Sequence, residues 1–129
     1  MKHIFSALLL LALSVLPAAA QTAEWIESVG GTYSNNAAGE ILAVDLSSSW
    51  LTDADLGRLA DLEALEHIDL SYTKITDLAL ERLAPLENVK SLDLYYAEYV
   101  TDAGVAHLTP WRNIERLNLR GTKVSSFVF

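Results

Sequence analysis

The sequence predicts an α/β fold in which strand–turn–helix units stack into a short solenoid. Three observations lead there. The triplet Val44-Asp45-Leu46 returns as Ile68-Asp69-Leu70, Leu92-Asp93-Leu94 and Leu117-Asn118-Leu119, at steps of 24 or 25 residues. Leu51-Thr52-Asp53, Ile75-Thr76-Asp77 and Val100-Thr101-Asp102 follow the first three triplets. Within each unit the apolar spacing changes from every second to every third residue, as in a half-buried strand followed by a short helix. A unit this short cannot bury its apolar side alone, so neighbours must stack over one shared core.

The segment before the repeats has its own logic. Lys2 and His3 precede Ile4–Leu16, which is apolar apart from two serines. Pro17 interrupts the run, and Ala18, Ala19 and Ala20 offer small residues before Gln21. This is the layout of a secretory signal peptide over residues 1–20. The run is shorter than the ~18 apolar residues a spanning helix needs. With no cysteine after the expected cleavage point, a lipid anchor is not expected either. Secretion or a periplasmic location follows, with no membrane insertion after cleavage.

Nine Lys and Arg stand against 17 Asp and Glu, a net charge of −8. That balance favours solubility and disfavours nucleic acid, whose phosphates need a basic face. The absence of cysteine means that stacked apolar side chains and backbone ladders must hold the fold without disulfides.

Residues 21–40 lie outside the repeat and read as an N-terminal cap. Glu24–Val29 forms a short helix that ends at Gly30-Gly31, where a glycine takes the left-handed position. Its Trp25, Ile26 and Val29 cover the first unit. Thr32–Ser34 reads as a strand, and a turn then leads into strand 41–46. Residues 41–129 are the repeats, about three and a half units. Their core columns begin with Ile41, Leu65, Val89 and Ile114, and continue through the triplets. After the turn come Leu51, Ile75, Val100 and Val124, then the helical Leu56, Leu80 and Val105. Thr52, Thr76 and Thr101 are expected helix N-caps, each followed by an acid suited to the positive helix end. Thr52 with Asp55 resembles a capping box.

The clearest unit runs from Leu65 to Leu86, with Ile68, Leu70, Thr73, Ile75, Thr76, Asp77, Leu80 and Leu83 at its marked positions. It resembles the bacterial type of leucine-rich repeat, L-x-x-L-x-L-x-x-T-x-[IV]-T-D-x-x-L-x-x-L-x-x-L. The resemblance covers residues 41–129. It implies a curved solenoid with parallel strands on the concave side and short helices on the convex side. It also implies a non-enzymatic module that binds a protein, or sometimes another ligand, through the concave face; aromatic rings such as those along the rim could also stack on glycans. No cofactor is implied.

Side chains alternate along a strand, so the residues between the core columns form the exposed face. Its columns are Ala43, His67, Ser91, Arg116; then Asp45, Asp69, Asp93, Asn118; then Ser47, Ser71, Tyr95, Arg120. The aspartate column invites a cation such as Ca²⁺, but a flat, open face brings few further oxygen ligands. His67 and Ser91 with a nearby Asp suggest a hydrolytic triad, yet nothing is aimed there to hold an oxyanion. The stronger lead is aromatic. Tyr72, Tyr95 and Tyr96, with Trp50 and Tyr99, gather along one rim near Arg116 and Arg120. Tyr and Trp beside Arg make the usual chemistry of a binding hot spot. Tyr72 and Tyr96 equally suit a covering role over their own units. At the other end, Val124, Phe127, Val128 and Phe129 are expected to be poorly covered, and the last strand leaves an edge. A longer array, a fold-back of Phe127 and Phe129, or pairing with a second copy would each manage it.

Overall fold

Alternating apolar residues within each triplet, and apolar residues three apart after each Thr-Asp, set the elements of the fold. The computed structural model describes residues 17–125. The expected signal-peptide run up to Leu16 lies outside these residues, as do Phe127, Val128 and Phe129. The architecture is mixed α/β: a five-stranded, mostly parallel sheet in sequential order, with short helices packed along it.

Helix α1 spans Ala18–Ser28. It begins at Ala18 rather than at Glu24, because three alanines favour helix and Pro17 precedes them where no helical N–H is needed. The N–H of Gly31 donates to Ile26 O at 2.8 Å and that of Gly30 to Glu27 O at 3.1 Å, with Gly30 at φ 85°. This is a Schellman ending. A Cβ on Gly31 would lie 2.8 Å from the Asp45 carbonyl, so only glycine lets the chain turn this close to the sheet.

Strand β1 (Thr32–Asn35) runs antiparallel to β2 (Ile41–Asp45), with Tyr33 opposite Val44. The Asn36 side chain closes their turn by accepting the N–H groups of Ala38 and Glu40. Ile26 is fully buried, and Trp25 and Val29 pack beside it. The guanidinium of Arg58 sits 5.6 Å over the Trp25 ring. Residues of the 21–40 segment thus pack on the core, and the antiparallel β1 extends the sheet there.

Strands β3 (His67–Asp69), β4 (Ser91–Asp93) and β5 (Arg116–Asn118) follow in parallel. Val44, Ile68, Leu92 and Leu117 share one register, and so do Asp45, Asp69, Asp93 and Asn118. The ladder continues past the strands. Ser48 N–H donates to Ser71 O, Tyr72 N–H to Tyr95 O, and Tyr96 N–H to Arg120 O, at 2.8–2.9 Å.

Helices α2 (Asp77–Leu83) and α3 (Asp102–Ala106) start as the sequence predicts. Thr76 Oγ1 accepts from Leu78 N–H and Thr101 Oγ1 from Ala103 N–H. The first unit departs from this. Its helix is a 3₁₀ helix, Ala54–Leu59, whose N-cap is Asp53 without a side-chain cap bond. Thr52 therefore does not cap an α-helix. Only the reverse half of the expected box forms, with Thr52 N–H donating to Asp55 at 2.9 Å. Gly57 weakens the α-helix there.

The acids after these threonines do more than complement a helix end. Asp53 accepts both the N–H and the hydroxyl of Thr76, at 2.7 Å each. Asp77 does the same for Thr101, at 2.7 and 2.6 Å. Asp102 holds Ser125 likewise, at 2.8 Å. Each unit is thus clipped to the next by a bidentate, charge-assisted contact.

Burial fades toward the last unit. Val89, Leu92, Leu94 and Val100 are buried, whereas their counterparts Ile114, Leu117, Leu119 and Val124 are only half-buried. Among the described residues no helix is long and apolar enough to cross a membrane.

Candidate functional site

The turn after each strand builds the site. Ser48, Tyr72 and Tyr96 hold φ values of 56°, 55° and 54°, and Gly121 in the same place holds 81°. Every unit therefore turns through a left-handed residue, the conformation that costs glycine least. In two units a tyrosine occupies it. The consequence is an outward ring at each of these positions, 56% exposed at Tyr72 and 46% at Tyr96.

These rings pack into one cluster with Tyr95. Tyr72 and Tyr96 lie parallel, centroids 5.7 Å apart. Tyr95 meets both edge-on, at 5.3 Å from Tyr72 and 4.7 Å from Tyr96. Partial desolvation and then the adjacent Tyr95 hydroxyl raise the Tyr72 hydroxyl above its ordinary pKa. Tyr96 lies over Gly121, where a Cβ would come within 2.8 Å of the ring. The cluster is preorganised by its own packing, with one face left to solvent.

Trp50 stands beyond the cluster and is 90% exposed. It lines a groove of about 470 Å³ with Tyr72, Lys74 and the Ser48–Leu51 turn. Tyr99, 47% exposed, carries Lys123 Nζ 5.7 Å above its ring. Of the aromatic residues expected along one rim, Tyr72, Tyr95 and Tyr96 touch as a cluster, Trp50 shares its groove with Tyr72, and Tyr99 contacts Lys123.

Arg116 lies on β5, in register with Ser91, and is exposed. Arg120 follows β5, held through its backbone: its N–H donates to the Asn118 side chain and its carbonyl accepts from Tyr96. Arg120 therefore adjoins Tyr96 through the backbone ladder, whereas Arg116 lies at the start of β5, beside Ser91 and Asp93.

On that face His67 Nδ1 is 2.8 Å from Ser91 Oγ. The aspartates beside them serve other donors. Asp45 Oδ1 accepts the N–H and hydroxyl of Ser47, Asp69 Oδ1 those of Ser71, and Asp93 Oδ1 the N–H of Tyr95. Each is an Asx turn that ends its strand. The Asp45, Asp69 and Asp93 column is thereby accounted for as turn chemistry. Among the described residues no group of three or more His, Cys, Asp or Glu side chains is arranged to hold a metal ion.

The left-handed tyrosines and the Asp clips were not read from sequence. The first had a signal: Gly121 aligns with Ser48, Tyr72 and Tyr96. The second had one too, an acid at a fixed place before a Thr or Ser one unit later. No protein-family model matches the chain, and no curated protein matches it either.

Proposed function

We propose that the chain is an exported leucine-rich repeat solenoid that recognises another protein, without catalysis, through its concave face and aromatic rim. The observation that carries this is the pair Tyr72 and Tyr96. A bulky residue at φ near 55° is uncommon and strained by roughly 1–2 kcal/mol relative to glycine. Strain kept at exposed rings, where glycine serves the turn at Gly121, points to use of the rings. Tyr95, Arg116 and Arg120 are the first contact residues, followed by Tyr72, Tyr96, Trp50 and His67. Aromatic rings flanked by arginine at a sheet's end supply both area and hydrogen bonding for a protein partner.

Random peptides displayed on phage and selected against the full chain test this reading. Selected peptides should lose about tenfold or more in affinity for Tyr95→Ala and Arg120→Ala, with far-UV CD and melting nearly unchanged. Peptides indifferent to both changes, or binding on a glycan array alone, would overturn it.

A second reading has its own observation. The half-burial of Ile114, Leu117, Leu119 and Val124 favours contacts through the end of the stack. On that reading the protein is a segment of a longer extracellular array, or pairs with a second copy.

A further inference from the structure

We infer that Tyr72 and Tyr95 form a site of oxidative coupling, at which a haem peroxidase using hydrogen peroxide joins the two phenol rings and ties the β3 unit to the β4 unit by a covalent bond. The inference goes beyond the recognition reading and does not rest on it.

Placement carries the inference. Tyr72 N–H donates to the Tyr95 carbonyl at 2.8 Å, so the two residues are direct neighbours on the ladder that joins the units. Their rings meet edge to face with centroids 5.3 Å apart. Tyr96 packs against both, at 5.7 Å from Tyr72 and 4.7 Å from Tyr95. Coupled phenols bond through the ring carbons next to the hydroxyls, so rings whose hydroxyls lie together present those carbons to each other. Desolvation and then the Tyr95 hydroxyl raise the pKa of Tyr72, and Tyr96 contributes less than Tyr95. That ranking selects Tyr95 as the partner. Groups held side by side react as if at very high concentration.

Access is provided by the backbone. The left-handed turn at φ 55° holds the Tyr72 ring outward, where it is 56% exposed. The oxidant reaches it there, and the ring has room to turn its edge toward Tyr95.

The chemistry balances without a group from the chain beyond the two phenols. Hydrogen peroxide takes one hydrogen atom from each hydroxyl and is reduced to two waters. The two phenoxyl radicals pair their odd electrons in one carbon–carbon bond. Each bonded carbon then gives up its hydrogen as a proton, and each oxygen regains one, which restores both phenols. The chain loses two hydrogens in all.

Such a bond has a place in this fold. The chain has no cysteine, so disulfides cannot join its units. A link between residues 72 and 95 closes a loop and constrains the unfolded chain as a disulfide would, and reducing agents do not reverse it. Of the five tyrosines, the two outside the cluster serve as controls: Tyr33 lies on β1, and Tyr99 carries Lys123 over its ring.

The test treats the dilute full chain with a haem peroxidase and limiting hydrogen peroxide, and maps the products by proteolysis and mass spectrometry. The expected product is a monomer two hydrogens lighter, with Tyr72 joined to Tyr95 and a urea midpoint above that of the untreated chain. Tyr72→Phe and Tyr95→Phe keep the rings but remove the hydroxyl hydrogen, and each should lower the yield at least about tenfold. Tyr33→Phe and Tyr99→Phe should leave it unchanged. Coupling between molecules alone, coupling of Tyr72 to Tyr96 instead, or a yield no higher than that of the urea-unfolded chain would overturn the inference. An unchanged urea midpoint of the coupled monomer would overturn the tie between units. Failure of peptide selection with this coupling intact would sink the recognition reading alone.

Discussion

At the scale of single residues, the most consequential are Tyr72 and Tyr96, because two energies of similar size oppose each other there. The left-handed backbone costs a tyrosine about 1–2 kcal/mol. The stacked and edge-on contacts with Tyr95 return about 0.5–1.5 kcal/mol per pair. The expected outcome for Tyr72→Gly is thus a protein of nearly unchanged denaturation midpoint, within about 1 kcal/mol of the original. Its peptide binding should nonetheless fall by about tenfold or more. A large loss of stability would instead make Tyr72 a structural cover and weaken the case for the rim. The sequence made the ring column legible, since tyrosines one unit apart must lie side by side in a parallel ladder. It left the backbone angle illegible, because tyrosine carries no sign of the left-handed turn that a glycine advertises.

At the scale of elements, what joins unit to unit is as polar as it is apolar. Apolar columns bury Leu46, Leu70 and Leu94 completely. Beside them the carboxylates of Asp53, Asp77 and Asp102 tie each helix start to the unit that follows. Removing Asp77 leaves the half-buried Thr101 N–H and hydroxyl without their acceptor. Hydrogen bonds to a charged group contribute about 1.5–3 kcal/mol. Asp77→Ala should therefore lower unfolding stability by about that amount, measured by urea denaturation. Asp45→Ala serves as the contrast: the exposed Asp45 carboxylate engages only Ser47, two residues away in its own turn, so the loss should stay near 1 kcal/mol or below. Equal losses would mean that the clip adds nothing beyond an ordinary Asx turn. Sequence reasoning found both aspartate columns but gave the Thr-Asp acid only a helix-end role. The partner lies a whole unit away, and spacing within one unit cannot reveal it. The first helix was misjudged for a related reason: Thr52-Asp53 repeats the signal, while the helix that follows is a 3₁₀ helix around Gly57.

At the scale of the whole molecule, the two ends of the sheet are managed differently. One is covered by α1 and the antiparallel β1, with Ile26 sealed inside. At the other, β5 is the last strand among the described residues, beside the half-buried Ile114, Leu117, Leu119 and Val124. The cap was legible because Trp25, Ile26 and Val29 share one helical face ahead of the first unit. The fading burial of the last unit was legible because its columns match those of units that are sealed on both sides. An edge strand beside apolar side chains is a template for pairing with another chain. Concentration-dependent association of the full chain, read by light scattering on a sizing column, is the expected outcome. Val124 borders that edge and is already half exposed, so Val124→Lys should abolish association by charge while the far-UV CD stays native. A chain that remains monomeric across the accessible concentration range would remove the second functional reading. Association that persists in Val124→Lys but disappears in Trp50→Ala would move self-contact to the aromatic rim, and the search for a foreign partner there would have to start from the monomer.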